Sequence, residues 1–181
     1  MMGLKRAQAE TYERQLADAR RRIAELESDL SQAMTRDQLT GTLLTLRAFR
    51  AQLGLDVSRA HRYGRPLALL VLDIDDFKSV NAEHGYEAGD AVLIALAGQI
   101  DRHTRVHDLA CRVGDEFILL LPETGREGAE LLAGRLEQAA GSLAAGPVER
   151  VEVSIGIETL SEDQEPEQLL EAARAARGRS A

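Results

Sequence analysis

The chain has 181 residues, of which 44% are apolar and 3% aromatic, with one cysteine and a formal net charge of −8. That length suits one catalytic-size domain plus a short extension, with a core of Leu, Val, Ile and Ala rather than aromatic rings. The charge argues against a nonspecific nucleic-acid surface, Cys111 alone cannot form an intrachain disulfide, and no apolar run is long enough to span a bilayer.

Met1-Met-Gly-Leu-Lys-Arg-Ala-Gln8 lacks the apolar centre of a signal peptide, which together with the lone cysteine fits a cytoplasmic protein. Residues 1 to 36 read as one amphipathic helix. Ala9, Tyr12, Leu16, Ala19, Ile23, Leu26, Leu30 and Ala33 recur at 3-4 spacing. With Leu16, Ile23 and Leu30 at heptad position a, Leu26 falls at d, and Arg22 at g faces Glu27 at e of a second chain. That pattern predicts a parallel coiled-coil homodimer, with a single helix packed on its own domain as the alternative. The globular block is expected over 37–181.

Within it, residues 43–62 are a helix candidate, with Leu43, Leu46, Phe49, Leu53 and Val57 on one side, broken by Tyr63-Gly-Arg-Pro66. Residues 67–73 are apolar almost throughout and predict a strand at a sheet centre. Asp90–Ile100 reads as a helix, 109–121 as a hairpin, and 126–140 as a helix burying Ala129, Leu132, Leu136 and Ala139. Residues 148–159 alternate as a strand, and Pro166 opens a last helix. The order of elements gives an α+β fold, a mixed central sheet with its helices on one face.

Two acidic clusters stand out. Gly114 and the carboxylates Asp115 and Glu116 lie between apolar runs, as at the tip of a tight hairpin. Asp73, Asp75 and Asp76 end the earlier apolar run. Carboxylates at two strand ends make a candidate site for Mg²⁺ or Mn²⁺, hard cations that take oxygen ligands and phosphate partners. Against this stand ordinary readings: Asp90 as a helix N-cap, Asp75 and Asp76 as solvated loop charges, Lys78 as a plain surface residue. Cys111 reads as a small apolar strand residue, and His84, His103 and His107 have no metal-like spacing.

Five blocks resemble those of GGDEF-domain diguanylate cyclases: Asp37-Gln-Leu-Thr-Gly41, Asp73-Ile-Asp-Asp-Phe-Lys-Ser-Val-Asn81, Gly85-Tyr-Glu-Ala-Gly-Asp90, Gly114-Asp-Glu-Phe117 and Val153-Ser-Ile-Gly156. The resemblance implies a palm-like nucleotidyl-cyclase fold with a mixed central sheet flanked by helices. It also implies that two such domains meet, each holding GTP, and that each 3′-hydroxyl attacks the other α-phosphate to give cyclic di-GMP. By resemblance, Asp73, the Ile74 carbonyl and Asp115 hold the metal. Asp115, Glu116 and Lys78 serve the chemistry. Asn81 and Asp90 read guanine, and Phe77 and Gly114 lie beside the phosphates. Arg105-Val-His-Asp108 resembles the family's product-binding inhibitory site.

The chain also departs from the pattern. One glycine, not two, precedes Asp115. Either Val113 replaces the first, or one residue is deleted, a register that keeps Arg112 and restores the spacing of Arg105 and Asp108. A β-branched residue resists positive φ, so Val113 is expected to hinder the hairpin. The last helix lacks the family's Tyr and Lys, with Arg177 or Arg179 as substitutes. Thr42-Leu-Leu-Thr-Leu-Arg47 lacks an Asn-Arg-Arg, and Ala82 and Tyr86 replace an Asp and a His. Two functions follow: a diguanylate cyclase weakened by these departures, or an inactive module that binds cyclic di-GMP or GTP as a receptor or protein-interaction domain. An upstream sensory partner is expected for either, and the chain can be a fragment of a larger protein.

Overall fold

Strand β1, Leu67–Ile74, is buried along almost its whole length because its apolar run serves two cores at once. Side chains alternate across a strand. Ala68, Leu70, Leu72 and Ile74 join one cluster, and Leu67, Leu69 and Val71 join the other. The computed structural model describes residues 14, 16, 18–23 and 35–177, and the chain divides into units of residues 1–35 and 36–181.

The larger unit is built on β1, β2 (Leu109–Val113), β3 (Glu116–Pro122) and β4 (Val153–Thr159). Their order is β2-β3-β1-β4, with antiparallel ladders throughout. An isolated parallel bridge from Leu44 to Cys111 adds the mixed character. The helices are α1 (Leu46–Tyr63), α2 (Phe77–His84), α3 (Tyr86–His103), α4 (Arg126–Gly141) and α5 (Pro166–Arg177).

They cover both faces, not one as the order of elements suggested. Val92, Leu93, Leu96 and Ile100 of α3 and Ala129, Leu132 and Leu136 of α4 fill the first cluster. Phe49, Leu53 and Val57 of α1 and Leu169, Leu170 and Ala173 of α5 fill the second. A two-sided apolar strand needs a helical layer on each side.

Three boundaries move for local reasons. Helix α1 begins at Leu46 because Thr45 caps it, its hydroxyl accepting from the Ala48 N–H at 3.4 Å. Helix α3 begins at Tyr86, so Asp90 lies inside it and is not its N-cap. It follows α2 after the single residue Gly85, whose φ of 85° suits glycine. Strand β4 begins at Val153, not at 148, because Val148 exchanges backbone hydrogen bonds with Ala145 instead. In the N-terminal unit the described residues are helical, with Leu16 and Ile23 exposed. The rest of the heptad pattern, Leu26 and Leu30 included, lies outside the described residues.

Candidate functional site

The β1–β3 register sets Asp73 directly opposite Glu116. The β2–β3 register sets Val113 opposite the same Glu116, leaving Gly114 and Asp115 as a two-residue turn. Gly114 takes φ 67°, and a Cβ there would meet nothing within 4 Å, so glycine is required by its backbone angle, not by lack of room. Val113 is in the strand and is 37% exposed, and it is not among the positive-φ residues. The backbone obstacle expected at Val113 therefore does not arise: the left-handed angle falls on Gly114.

Two arginines of α5 reach this acidic end. Arg177 Nη1 lies 2.5 Å from Asp73 Oδ2 and 3.3 Å from Glu116 Oε2. Arg174 donates to Glu116 Oε1 through Nε at 3.1 Å and Nη2 at 2.7 Å. All four side chains are mostly buried. Burial pushes the Asp73 carboxyl above its usual range; Arg177 opposes this, and Asp115, Glu116 and Asp75 push it further up. The hydrogen bonds to Glu116 hold Arg174 charged more firmly than an ordinary arginine. Arg177 was one of two candidates to replace the family's basic residues, and its partners here are carboxylates. Arg179 lies outside the described residues. Nothing in the spacing flagged Arg174.

The close seat of α5 explains one sequence block. A Cβ at Gly156 of β4 would overlap the Ala173 carbonyl oxygen and come within 2.5 Å of the Arg177 nitrogen. Glycine there lets the last turn of α5 lie against the sheet, which carries Arg177 over Asp73.

A second cation braces the hairpin from the other side. Arg112 donates to Asp37 through Nε at 3.1 Å and Nη2 at 2.7 Å, and through Nη1 to the Gly114 carbonyl at 2.7 Å. Asp37 also accepts from the Thr40 N–H and hydroxyl, both at 2.9 Å. Burial alone would raise the Asp37 carboxyl, but the hydrogen bonds from Arg112 and Thr40 outweigh it and hold the group below its usual value.

The other expected site residues lie on α2 and α3. Phe77 is half-buried against the core, and Lys78 is exposed. Ile74 has its side chain in the core, so only its main chain can face a ligand. Asn81 is half-buried and Asp90 exposed. Among the described residues, the side chains of Lys78, Asn81 and Asp90 make no hydrogen bond or ion pair. Asp75 is not a free loop charge: its carboxylate accepts from the Ser154 hydroxyl at 2.7 Å. Asp76 has φ 55° as the residue before α2, an angle uncommon outside glycine.

Arg105 and Asp108 lie in the loop after α3, apart from the acidic end in sequence and element. Asp108 Oδ2 accepts from the Arg105 backbone N–H at 2.7 Å, and the Asp108 N–H donates back to the Arg105 carbonyl at 3.0 Å. A side-chain salt bridge between them is thus not what joins them. Arg105 keeps an exposed guanidinium with no partner among the described residues. Cys111 is buried, and burial, with Glu116 second, pushes its thiol up to about 12, which suits a core residue rather than a nucleophile. Among the described residues no three His, Cys, Asp or Glu side chains stand as a ready cation cage, and no helix is long and apolar enough to cross a membrane.

The family model "Diguanylate cyclase, GGDEF domain" matches residues 34–179. The diguanylate cyclase DgcP of Pseudomonas aeruginosa is 42% identical over 123 residues, 67% of this chain and 18% of that protein. The response regulator PleD of Caulobacter vibrioides is 38% identical over 155 residues, 82% of this chain and 34% of that protein. This chain therefore spans about a third or less of these curated relatives. Among solved structures, the coiled coil and GGDEF domain of DgcB from Caulobacter crescentus, in complex with c-di-GMP, superposes with a TM-score of 0.82 at 26% identity, covering 93% of each chain. Diguanylate cyclase SiaD from Pseudomonas aeruginosa, in complex with its activator SiaC, gives 0.76 at 30% identity, covering 95% of this chain and 67% of that one. With the matched segment spanning the whole sheet and the acidic hairpin, the chain belongs to the GGDEF-domain family of diguanylate cyclases.

Proposed function

We propose that the chain is a diguanylate cyclase module that joins two GTP molecules into cyclic di-GMP. The observation that carries this is the pairing of Asp73 with Glu116 across β1 and β3, with Asp115 in the adjoining turn. Several carboxylates share a half-buried spot, where burial first, and the neighbouring carboxylates after it, raise Asp73. Such a donor set fits a hard divalent cation, and Mg²⁺ or Mn²⁺ is the expected ion. Asp73, Asp115 and the Ile74 carbonyl would hold it, and when bound it neutralises triphosphate charge and polarises the α-phosphate.

The chain's own residues position the rest. Asn81 and Asp90 offer an amide and a carboxylate to a guanine edge, which presents a carbonyl acceptor beside N–H donors. Lys78 supplies an exposed point charge for the phosphates. Glu116, held in place by Arg174, accepts a hydrogen bond from the attacking 3′-hydroxyl and orients it. In each half-reaction the 3′-hydroxyl gives up its proton to solvent, its oxygen bonds to the partner nucleotide's α-phosphorus, and the bond to the β-phosphate oxygen breaks to release pyrophosphate. Two modules are needed, and pairing through the N-terminal helix supplies them in this reading.

A second reading has its own support. Arg177 already pairs with Asp73 and Glu116, while Arg105, without a side-chain partner among the described residues, is open to a guanine or phosphate. A module in that state binds cyclic di-GMP and does not make it. Incubation of the purified chain with GTP and Mg²⁺, with product measured by chromatography, separates the two. Cyclic di-GMP from the parent and none from Asp73→Ala supports the cyclase. No product, with calorimetric binding of cyclic di-GMP that is lost in Arg105→Ala, supports the receptor.

A further inference from the structure

We propose that Gly89 is a specificity-determining position: its missing side chain makes the room in which the Asn81 amide is held beside Asp90. The proposal rests on the reading of Asn81 as a base reader. Gly89 lies in the second turn of α3 and is buried. It is not among the positive-φ glycines, so its backbone does not need glycine. Alanine is the better helix former at such a position, and glycine there calls for a reason of space.

That reason is Asn81. A Cβ on Gly89 would overlap Asn81 Oδ1, stand 3.0 Å from Asn81 Cγ, and stand 3.2 Å from Phe77 Cζ. Gly85 alone joins α2 to α3, its N–H closing the last turn of α2 on the Asn81 carbonyl at 3.0 Å, and the two helices pack against each other. The amide therefore lies in a notch on α3, one residue before the Asp90 carboxylate. Neither group has a side-chain partner among the described residues. A carboxylate beside an amide suits guanine, which offers N–H donors to the carboxylate and a carbonyl to the amide. Adenine places a lone pair where the carboxylate expects a proton.

A methyl at position 89 meets the far end of a flexible side chain and not backbone, so the fold can yield. Asn81 must then leave the notch. Gly89 acts through Asn81 and is a positioning residue.

The test measures binding of fluorescent GTP and fluorescent ATP to the full chain with Mg²⁺ present. The variants are Gly89→Ala, Asn81→Ala and the double variant, with thermal melting of each. The expected result is a GTP-over-ATP preference about tenfold lower in each single variant, as for loss of one base hydrogen bond. The double variant should be no worse than Asn81→Ala, and Gly89→Ala should melt no lower than the parent. Gly89→Ala with the parent's preference, while Asn81→Ala loses it, overturns the proposal and leaves the base-reading assignment standing. An unchanged preference in Asn81→Ala, or a parent without any, overturns that assignment and the proposal with it. If Gly89→Ala melts lower, the double variant, free of the amide, should recover; failure to recover also overturns the proposal.

Discussion

At the acidic end of the sheet, Asp73 and Glu116 already share Arg177, Glu116 has Arg174 as well, and Asp75 has the Ser154 hydroxyl. On α2 and α3, by contrast, Lys78, Asn81 and Asp90 have no side-chain partners among the described residues. Both regions sit on one domain and, in the proposed function, serve one nucleotide. In that proposal, binding at the acidic end would be an exchange, in which an incoming cation must displace or rearrange an internal guanidinium. Binding at the helical corner would be an addition to groups with no partner among the described residues. Partly buried charges must be paired to be tolerated, while exposed polar groups are kept satisfied by water.

Removing Asp73 should give the largest effect. Asp73→Ala is expected to weaken Mg²⁺-dependent GTP binding on the order of 100-fold or more, the scale of losing a group that fixes charge at a phosphoryl site. Calorimetry with GTP in the presence of Mg²⁺ checks this, and parent-like binding would erase the acidic end from the comparison.

The brace behind the hairpin comes next. Asp37→Ala leaves Arg112 half-buried without its carboxylate, and should cost about 2–3 kcal/mol in denaturant unfolding. The sign with pH follows from the depressed Asp37 carboxyl. Its contribution is complete above the unfolded value of about 3.9 and disappears as pH falls through the lower folded value. The difference between parent and variant should therefore hold steady at neutral pH and close only in strong acid.

Arg177→Gln sharpens the contrast directly. It removes the internal competitor, so Mn²⁺ affinity, read by electron paramagnetic resonance without nucleotide, should rise about tenfold, or about 1.4 kcal/mol. Asn81→Ala should leave Mn²⁺ affinity alone. Equal responses in the two variants would mean that the regions do not differ in the way described.

Val113→Gly should be the smallest change. An exposed strand residue replaced by glycine loses less than about 1 kcal/mol. Because Gly114 already supplies the turn's left-handed angle, the substitution should not raise turnover. A marked rise would show that the side chain of Val113 obstructs the phosphates.

The fold was legible where period and composition agree. The apolar run 67–73 announced a central strand, and Leu132 and Leu136 announced a helix face, since burial leaves a local mark on sequence. The two-sided helical cover was missed because element order does not say which face each helix chooses. Helix α2 was missed because its eight residues bury none fully and begin from an unusual angle at Asp76. The acidic clusters were visible in sequence, but their pairing is a matter of register, which single segments do not encode. Arg174 was invisible for the same reason: only the seat of α5 on Gly156 brings it to Glu116. The predicted strain at Val113 erred by assigning the left-handed angle one residue too early.

The opening loop has a consequence for how such modules are joined to others. Arg36 bridges Leu44, the Asp37 N–H meets the Leu43 carbonyl at 2.9 Å, and the Gly41 N–H meets the Asp37 carbonyl at 2.8 Å. The segment is thus a closed ring soldered to β2 through Leu44 and to the hairpin tip through Arg112. A module grafted upstream of Arg36 would join the domain at this hydrogen-bonded ring. A linker inserted inside the ring would cut that joint from the hairpin, even though this stretch is neither helix nor ladder and looks in sequence like the natural place for a splice.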